Sequence, residues 1–114
     1  MSPWVPPRRP LAPLRATVRV PGSKSLTNRA LLVAALADGQ TRLSQALFSD
    51  DSRHFVGALR ALGFVVAEDP AARQILVHGR GGCIPSGRAE LFIGNAGTAA
   101  RFLTAMLTLG QGEY

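Results

Sequence analysis

Lys24 is the only lysine of the chain, and it stands inside Pro21-Gly22-Ser23-Lys24-Ser25, with Arg29 four residues past Ser25. The segment therefore combines a glycine turn, two hydroxyls, an ammonium and a guanidinium. That is equipment for holding a phosphorylated anion. A helix starting at Ser25 would add outward-pointing, unpaired N–H groups and a dipole that favours negative charge. Ser25 and Arg29, four apart, would share one face of it. Gly22 lets the backbone approach an anion closely. Lys24 supplies a compact charge, and Arg29 can grip a phosphate or carboxylate through two parallel hydrogen bonds. The pattern is not a P-loop, which needs a glycine farther upstream, where Val18 and Arg19 stand. Taken alone, a serine-capped helix start with solvated charges explains the segment more simply.

A second segment repeats the logic. Gly94-Asn95-Ala96-Gly97-Thr98-Ala99-Ala100-Arg101 offers small residues, a hydroxyl, a helix start and an arginine one turn in. Alone it reads as a tight strand-to-helix turn with Arg101 in solvent. Two such constructions in one short chain point to a site for two anionic groups. A third candidate, Ser49-Asp50-Asp51-Ser52-Arg53-His54, places paired acids beside a histidine, a set able to do acid–base work or bind a metal. Acids in a first helical turn also cap it and complement its dipole, and capping is the stronger reading. No zinc-ligand spacing is present, and Cys83 stands alone, so no internal disulfide is expected.

The elements that must position these groups follow from periodicity and breakers. Residues 1–14 hold five of the eight prolines and read as an extended arm. Arg15–Val20 alternates and reads as a short strand. Ser25–Ala37 is a helix, with its run Ala30–Ala37 apolar almost all round and so expected to be buried on several sides, and with Gly39 as its stop. Thr41–Leu47 alternates as a strand. The Ser49–Ser52 cluster caps a second helix through Leu62, stopped by Gly63, with Phe55, Val56, Leu59 and Leu62 as its apolar stripe. Phe64–Ala67 and Gln74–His78 read as strands joined by a turn at Asp69-Pro70, and Glu90–Ile93 as another short strand. The Gly94–Thr98 turn opens a third helix, Ala99–Leu109, stopped by Gly110. The interleaving implies an α/β (α+β) chain of repeated packing units.

Composition agrees with an acidic partner. The 114 residues carry a formal net charge of +6 and 46% hydrophobic content, enough for one small core. No run of about 18 or more apolar residues exists, which argues against a membrane-spanning helix. The Pro- and Arg-rich start has no continuous apolar stretch and does not read as a secretory signal.

Taken together, Val20–Leu32, Ser49–Arg53 and Leu91–Thr104 resemble 3-phosphoshikimate 1-carboxyvinyltransferase, also called EPSP synthase. The order and spacing of Pro-Gly-Ser-Lys-Ser, Asn-Arg-Ala-Leu, Ser-Asp-Asp and Gly-Asn-Ala-Gly-Thr-Ala-x-Arg carry the resemblance, which covers roughly residues 15–114. It implies a fold of two similar domains, each built of repeated βαβαββ units, with residues 15–114 as the incomplete N-terminal part of one domain. It implies a transferase of the shikimate pathway to aromatic amino acids, with phosphoenolpyruvate and shikimate-3-phosphate as substrates. No metal or organic cofactor is expected, and the enzyme is expected to be cytoplasmic and monomeric, without nucleic-acid or membrane partners. By matching position, Lys24, Ser25 and Arg29 would contact shikimate-3-phosphate. Lys24 and Gly97 would meet phosphoenolpyruvate, with Asn95, Thr98 and Arg101 shaping that wall and Asp50 or Asp51 orienting the region. The family's proton-transfer acids lie outside the matched stretch, so no catalytic residue is assigned here, and the chain alone is expected to be inactive. Phe102 departs from the family, where many members carry proline, and it bears on the fine position of Gly97 and Arg101. The related UDP-N-acetylglucosamine enolpyruvyl transferase of cell-wall synthesis shares the fold but differs at Pro-Gly-Ser-Lys-Ser. A basic nucleic-acid-binding module is the other alternative, on the charge and on Arg8, Arg9, Arg15 and Arg19. One Trp and one Tyr make a poor stacking platform for it.

Overall fold

The computed structural model describes residues 2–9 and 11–114; Met1 and Pro10, both inside the stretch read as an extended arm, lie outside the described residues. The order is α1 (Lys24–Leu36), β1 (Asp38–Ser44), α2 (Asp50–Ala61), β2 (Val65–Asp69), β3 (Gln74–Arg80) and α3 (Gly97–Leu107). The strands form one sheet in the order β1-β3-β2, with β3 antiparallel to both neighbours. β1 and β2 are therefore parallel. α2 makes the crossover between them, and β3 fills the gap left between the two. The α/β class expected from the sequence is what is observed.

Each helix starts for a local reason. Ser23, extended at φ −82° and ψ 128°, accepts the Leu26 N–H at 3.2 Å and caps α1. At α2 a capping box closes: Ser52 N–H donates to Ser49 Oγ at 3.2 Å, and Ser49 N–H donates to Ser52 Oγ at 2.8 Å. Asp50 and Asp51 occupy its first turn and Arg60 its last, each complementing the dipole. Gly63, at φ +90°, takes the left-handed turn after Leu62. No side chain caps α3.

One core serves all three helices. Leu31, Ala34 and Ala35 of α1, Phe55, Val56 and Leu59 of α2, Ile75 and Val77 of β3, and Ala99, Leu103 and Met106 of α3 are buried together. α1 settles onto β3 because Gly79 has no side chain: a Cβ there would collide with the Ala34 and Ala37 carbonyl oxygens. The burial of α1 is one-sided, however, since Leu26 and Val33 are exposed.

Several expectations need correction. Arg15–Val20 forms no strand; all the described residues up to Pro21 are exposed and in no helix or strand. Alternation supplies a face, but a strand also needs a neighbour to take its backbone hydrogen bonds. The unit observed is thus α-β-α-β-β, without the leading strand. Glu90–Ile93 likewise forms no strand. Gly39 does not stop α1. The helix ends at Leu36, and Gly39, at φ +93°, lies inside β1 opposite Gly79, which draws the strand's start back from Thr41 to Asp38.

Candidate functional site

The first turn of α1, the loop before α2 and the first turn of α2 are tied through Leu47. Its N–H donates to Thr27 Oγ1 at 3.0 Å, and its carbonyl accepts from Ser52 Oγ at 2.8 Å. Gly22 lies against the same loop; a Cβ there would collide with the Gln45 carbonyl oxygen and come within 2.9 Å of the Leu47 nitrogen. These contacts set the starts of α1 and α2 side by side. The result is an ion pair between Lys24 Nζ and Asp51 Oδ2 at 3.1 Å, with the lysine side chain 55% exposed and the aspartate 25%. So much exposure makes the pair worth only about 0–1 kcal/mol to stability. Its larger effect is orientation, since it holds the ammonium at the seam between two helix starts.

The start of α2 in turn faces the entrance to α3. Asp50, Asp51, His54, Phe92, Gly94 and Asn95 line an open depression of about 550 Å³. Through Asp51 and this depression, the starts of α1 and α2 and the turn into α3 gather at one end of the molecule. α1 and α2 have serine caps, whereas α3 is entered through Asn95-Ala96-Gly97 without one. Its first-turn N–H groups therefore have no side-chain acceptor and suit an anion.

The residues singled out in the sequence fall as follows. Lys24, Ser25 and Arg29 lie on the first turns of α1, all exposed. Asp50 and Asp51 lie on the first turn of α2, and only Asp51 meets Lys24. Asn95 lies in the α3 turn, Gly97 is the first residue of α3, Thr98 is half-buried, and Arg101 is exposed one turn in. Among the described residues neither Arg29 nor Arg101 takes part in an ion pair. The Ser49–His54 cluster is chiefly a cap, and the described residues contain no group of three or more His, Cys, Asp or Glu arranged to hold a metal. No helix among them is long and apolar enough to cross a membrane.

Two residues carry more than their sequence context indicated. Asn28, one turn past Lys24, is 1% exposed, and its Oδ1 has no hydrogen-bond partner among the described residues. Its place on the Lys24–Leu31–Ala35 face was the available signal. His54 packs against Phe92, with ring centroids 5.6 Å apart at 78°, and against Gly94. Nothing in the sequence pairs residues that far apart.

Comparison with known proteins bears on this arrangement. The family model for EPSP synthase (3-phosphoshikimate 1-carboxyvinyltransferase) matches residues 8–114. The 3-phosphoshikimate 1-carboxyvinyltransferase of Trichormus variabilis is 57% identical over 102 residues, covering 90% of this chain and 24% of that protein. The protein of the same name from Shewanella loihica is 51% identical over 106 residues, covering 92% of this chain and 25% of its own length. Among solved structures, an EPSP synthase from Acinetobacter baumannii superposes with a TM-score of 0.72 at 30% identity, covering 79% of this chain and 20% of that one. The chain thus spans about a quarter (24%) of the length of the curated relatives it matches.

Proposed function

The chain belongs to the EPSP synthase (3-phosphoshikimate 1-carboxyvinyltransferase) family, and from that premise we propose that it forms one wall of a site where the enolpyruvyl group of phosphoenolpyruvate passes to the 5-hydroxyl of shikimate-3-phosphate. The observation that supports the reading is the gathering of the helix starts, α1 joined to α2 by the Lys24–Asp51 pair and α2 facing the α3 entrance across the depression lined by Asp51 and Asn95. Two polyanionic substrates need two anion-binding positions close enough for their reacting carbons to meet. An uncapped helix start and a lysine–serine–arginine helix start, joined at one end, offer that.

In this reaction the 5-hydroxyl gives up its proton as its oxygen bonds to C2 of phosphoenolpyruvate, and the C2–C3 π pair takes up a proton at C3. Phosphate then leaves C2 as C3 gives up a proton, restoring the double bond. Lys24, Ser25 and Arg29 hold the shikimate-3-phosphate anion. Lys24 also reaches phosphoenolpyruvate, and its contact with Asp51 orients the ammonium at the seam. Gly97, with no side chain, lets phosphoenolpyruvate approach the backbone of the α3 start closely, with Asn95, Thr98 and Arg101 around it. Asp50 and Asp51 orient the seam. Residues 1–114 hold and orient; the groups that move the proton at C3 are not assigned among them.

The test compares phosphate release from the two substrates by the chain alone and by a chimera in which it replaces the matching quarter of a full-length relative. We expect release from the chimera and none from the chain. Proton-transfer groups commonly contribute factors of about 100 to 10,000, so their loss leaves no measurable turnover. A folded chimera without turnover would overturn the assigned activity. Robust release by the chain alone would overturn the assignment of a single wall.

A further inference from the structure

We propose that His54 is a positioning residue, which sets the Gly94–Gly97 turn and thereby the aim of the α3 start; the inference rests on the reading of that start as the phosphoenolpyruvate wall. Gly94 adopts φ +51°, a left-handed conformation that favours glycine. A Cβ on Gly94 would come within 2.7 Å of His54 Nε2, 3.2 Å of its Cδ2 and 3.3 Å of its Cε1. The outer edge of the imidazole is thus seated against the Gly94 α-carbon. The same ring meets Phe92 edge-on, at 5.6 Å and 78°. Phe92 is 78% exposed, so this contact is not core packing. His54 grips the segment entering α3 on both sides of Ile93.

Ala96 is buried in the core and Leu91 and Ile93 pack against it, but on its exposed side, at Phe92, Gly94 and Asn95, the segment has little other support. It forms no strand, and α3 has no side-chain cap. Its local backbone bonds are Ala96 N–H to the Ile93 carbonyl at 3.0 Å and Gly97 N–H to the Asn95 carbonyl at 2.9 Å. His54, by contrast, sits on a well-anchored element. It lies one turn past Asp50 on α2, whose start is held by the Ser49–Ser52 box and the Lys24–Asp51 pair. α2 therefore offers a rigid post, and His54 is the contact through which that post fixes the turn.

Two modes of action are separable. The titratable groups that line the depression with His54 are Asp50 and Asp51, one turn back on the same helix; the opposite side, Phe92, Gly94 and Asn95, carries none, and Lys24 is paired with Asp51. Action through proton transfer would need a titrating ring. Action through shape needs only a side chain of the same reach. It is the ring edge, with Nε2 nearest, that sits against Gly94, and the ring itself that meets Phe92 edge-on. Shape is the mode the geometry supports.

The experiment uses the full-length chimera described above, with His54→Ala, His54→Asn and His54→Gln. Alanine and asparagine withdraw the tip, whereas glutamine reaches about as far as the imidazole and does not titrate. A misplaced binding group of this kind should raise the phosphoenolpyruvate KM on the order of tenfold in the first two variants, with kcat much less affected. His54→Gln should restore KM to within roughly threefold of the parent, with an unchanged pH profile. Parental KM in both His54→Ala and His54→Asn would overturn the proposal. So would a His54→Gln enzyme as impaired as His54→Ala with a displaced pH profile, which would make the ring an acid–base group. If one of the withdrawn variants fails to fold, the other and His54→Gln decide the matter. Turnover by the unsubstituted chimera reports on the underlying reading separately, so the two failures are distinguishable.

Discussion

Gly97→Ala separates the cost of a methyl group to the fold from its cost to a ligand. Gly97 is the first residue of α3, is not among the glycines with positive φ, and a Cβ built on it meets nothing within 4 Å. The protein has room for the methyl. Alanine also lowers the entropy of the unfolded chain and suits a helix better, a gain of about 0.4–1 kcal/mol. Folding stability should therefore stay level or rise slightly. Binding should behave oppositely if the α3 start receives phosphoenolpyruvate through its backbone N–H groups. A hydrogen bond to a charged group contributes about 1.5–3 kcal/mol, and a methyl that holds the anion off forfeits one such bond. That corresponds to a loss of roughly 10- to 150-fold in affinity. The assay is steady-state phosphate release by the full-length chimera with each substrate titrated in turn, beside a thermal melt. The expected result is a phosphoenolpyruvate KM raised by at least about tenfold, with the shikimate-3-phosphate KM and the melting temperature little changed. An unaltered phosphoenolpyruvate KM would refute the placement of that anion at the α3 start. A clear loss of stability would refute the claim that the space beyond Gly97 is open.

Two further substitutions probe the seam. Lys24→Ala removes an exposed ion pair and should cost under about 1 kcal/mol of stability, yet weaken use of both substrates; Lys24→Arg should not fully rescue, because a planar fork cannot replace a point charge in this turn. Kinetics and a melt on the same samples check it, and parental kinetics in Lys24→Ala would reduce the residue to a solvated helix start. Gly22→Ala drives a methyl into the Gln45 carbonyl, a backbone atom that cannot swing aside. It should destabilise by about 1–3 kcal/mol in urea unfolding, and an unchanged midpoint would show that the turn does not rest on the Gln45–Leu47 loop.

What the sequence determined by itself is local. Ser23, Ser49 and Ser52 mark helix starts because a cap is a contact between residues three apart, and α2 runs as its apolar stripe and Gly63 predict. The helix starts at the Lys24 and Gly97 motifs were legible for the same reason: the glycine, the hydroxyl, the charge and the first helical turn are neighbours in the chain. Tertiary structure decided everything that needs a partner. Arg15–Val20 alternates as well as any strand and Glu90–Ile93 is a short apolar run, but no neighbouring backbone pairs with them, so they form none. β1 begins at Asp38 because Gly39 finds Gly79 across the sheet, a pairing invisible in either segment alone. The same holds for the site. Two acids in a first turn read as a cap, and only the packing of α1 beside α2 chose Asp51 rather than Asp50 for Lys24. A histidine near acids suggested chemistry, and the fold placed its ring against Gly94 and Phe92 instead. Capping and turn formation are settled within a few bonds, whereas these contacts arise only when distant segments bury a common core.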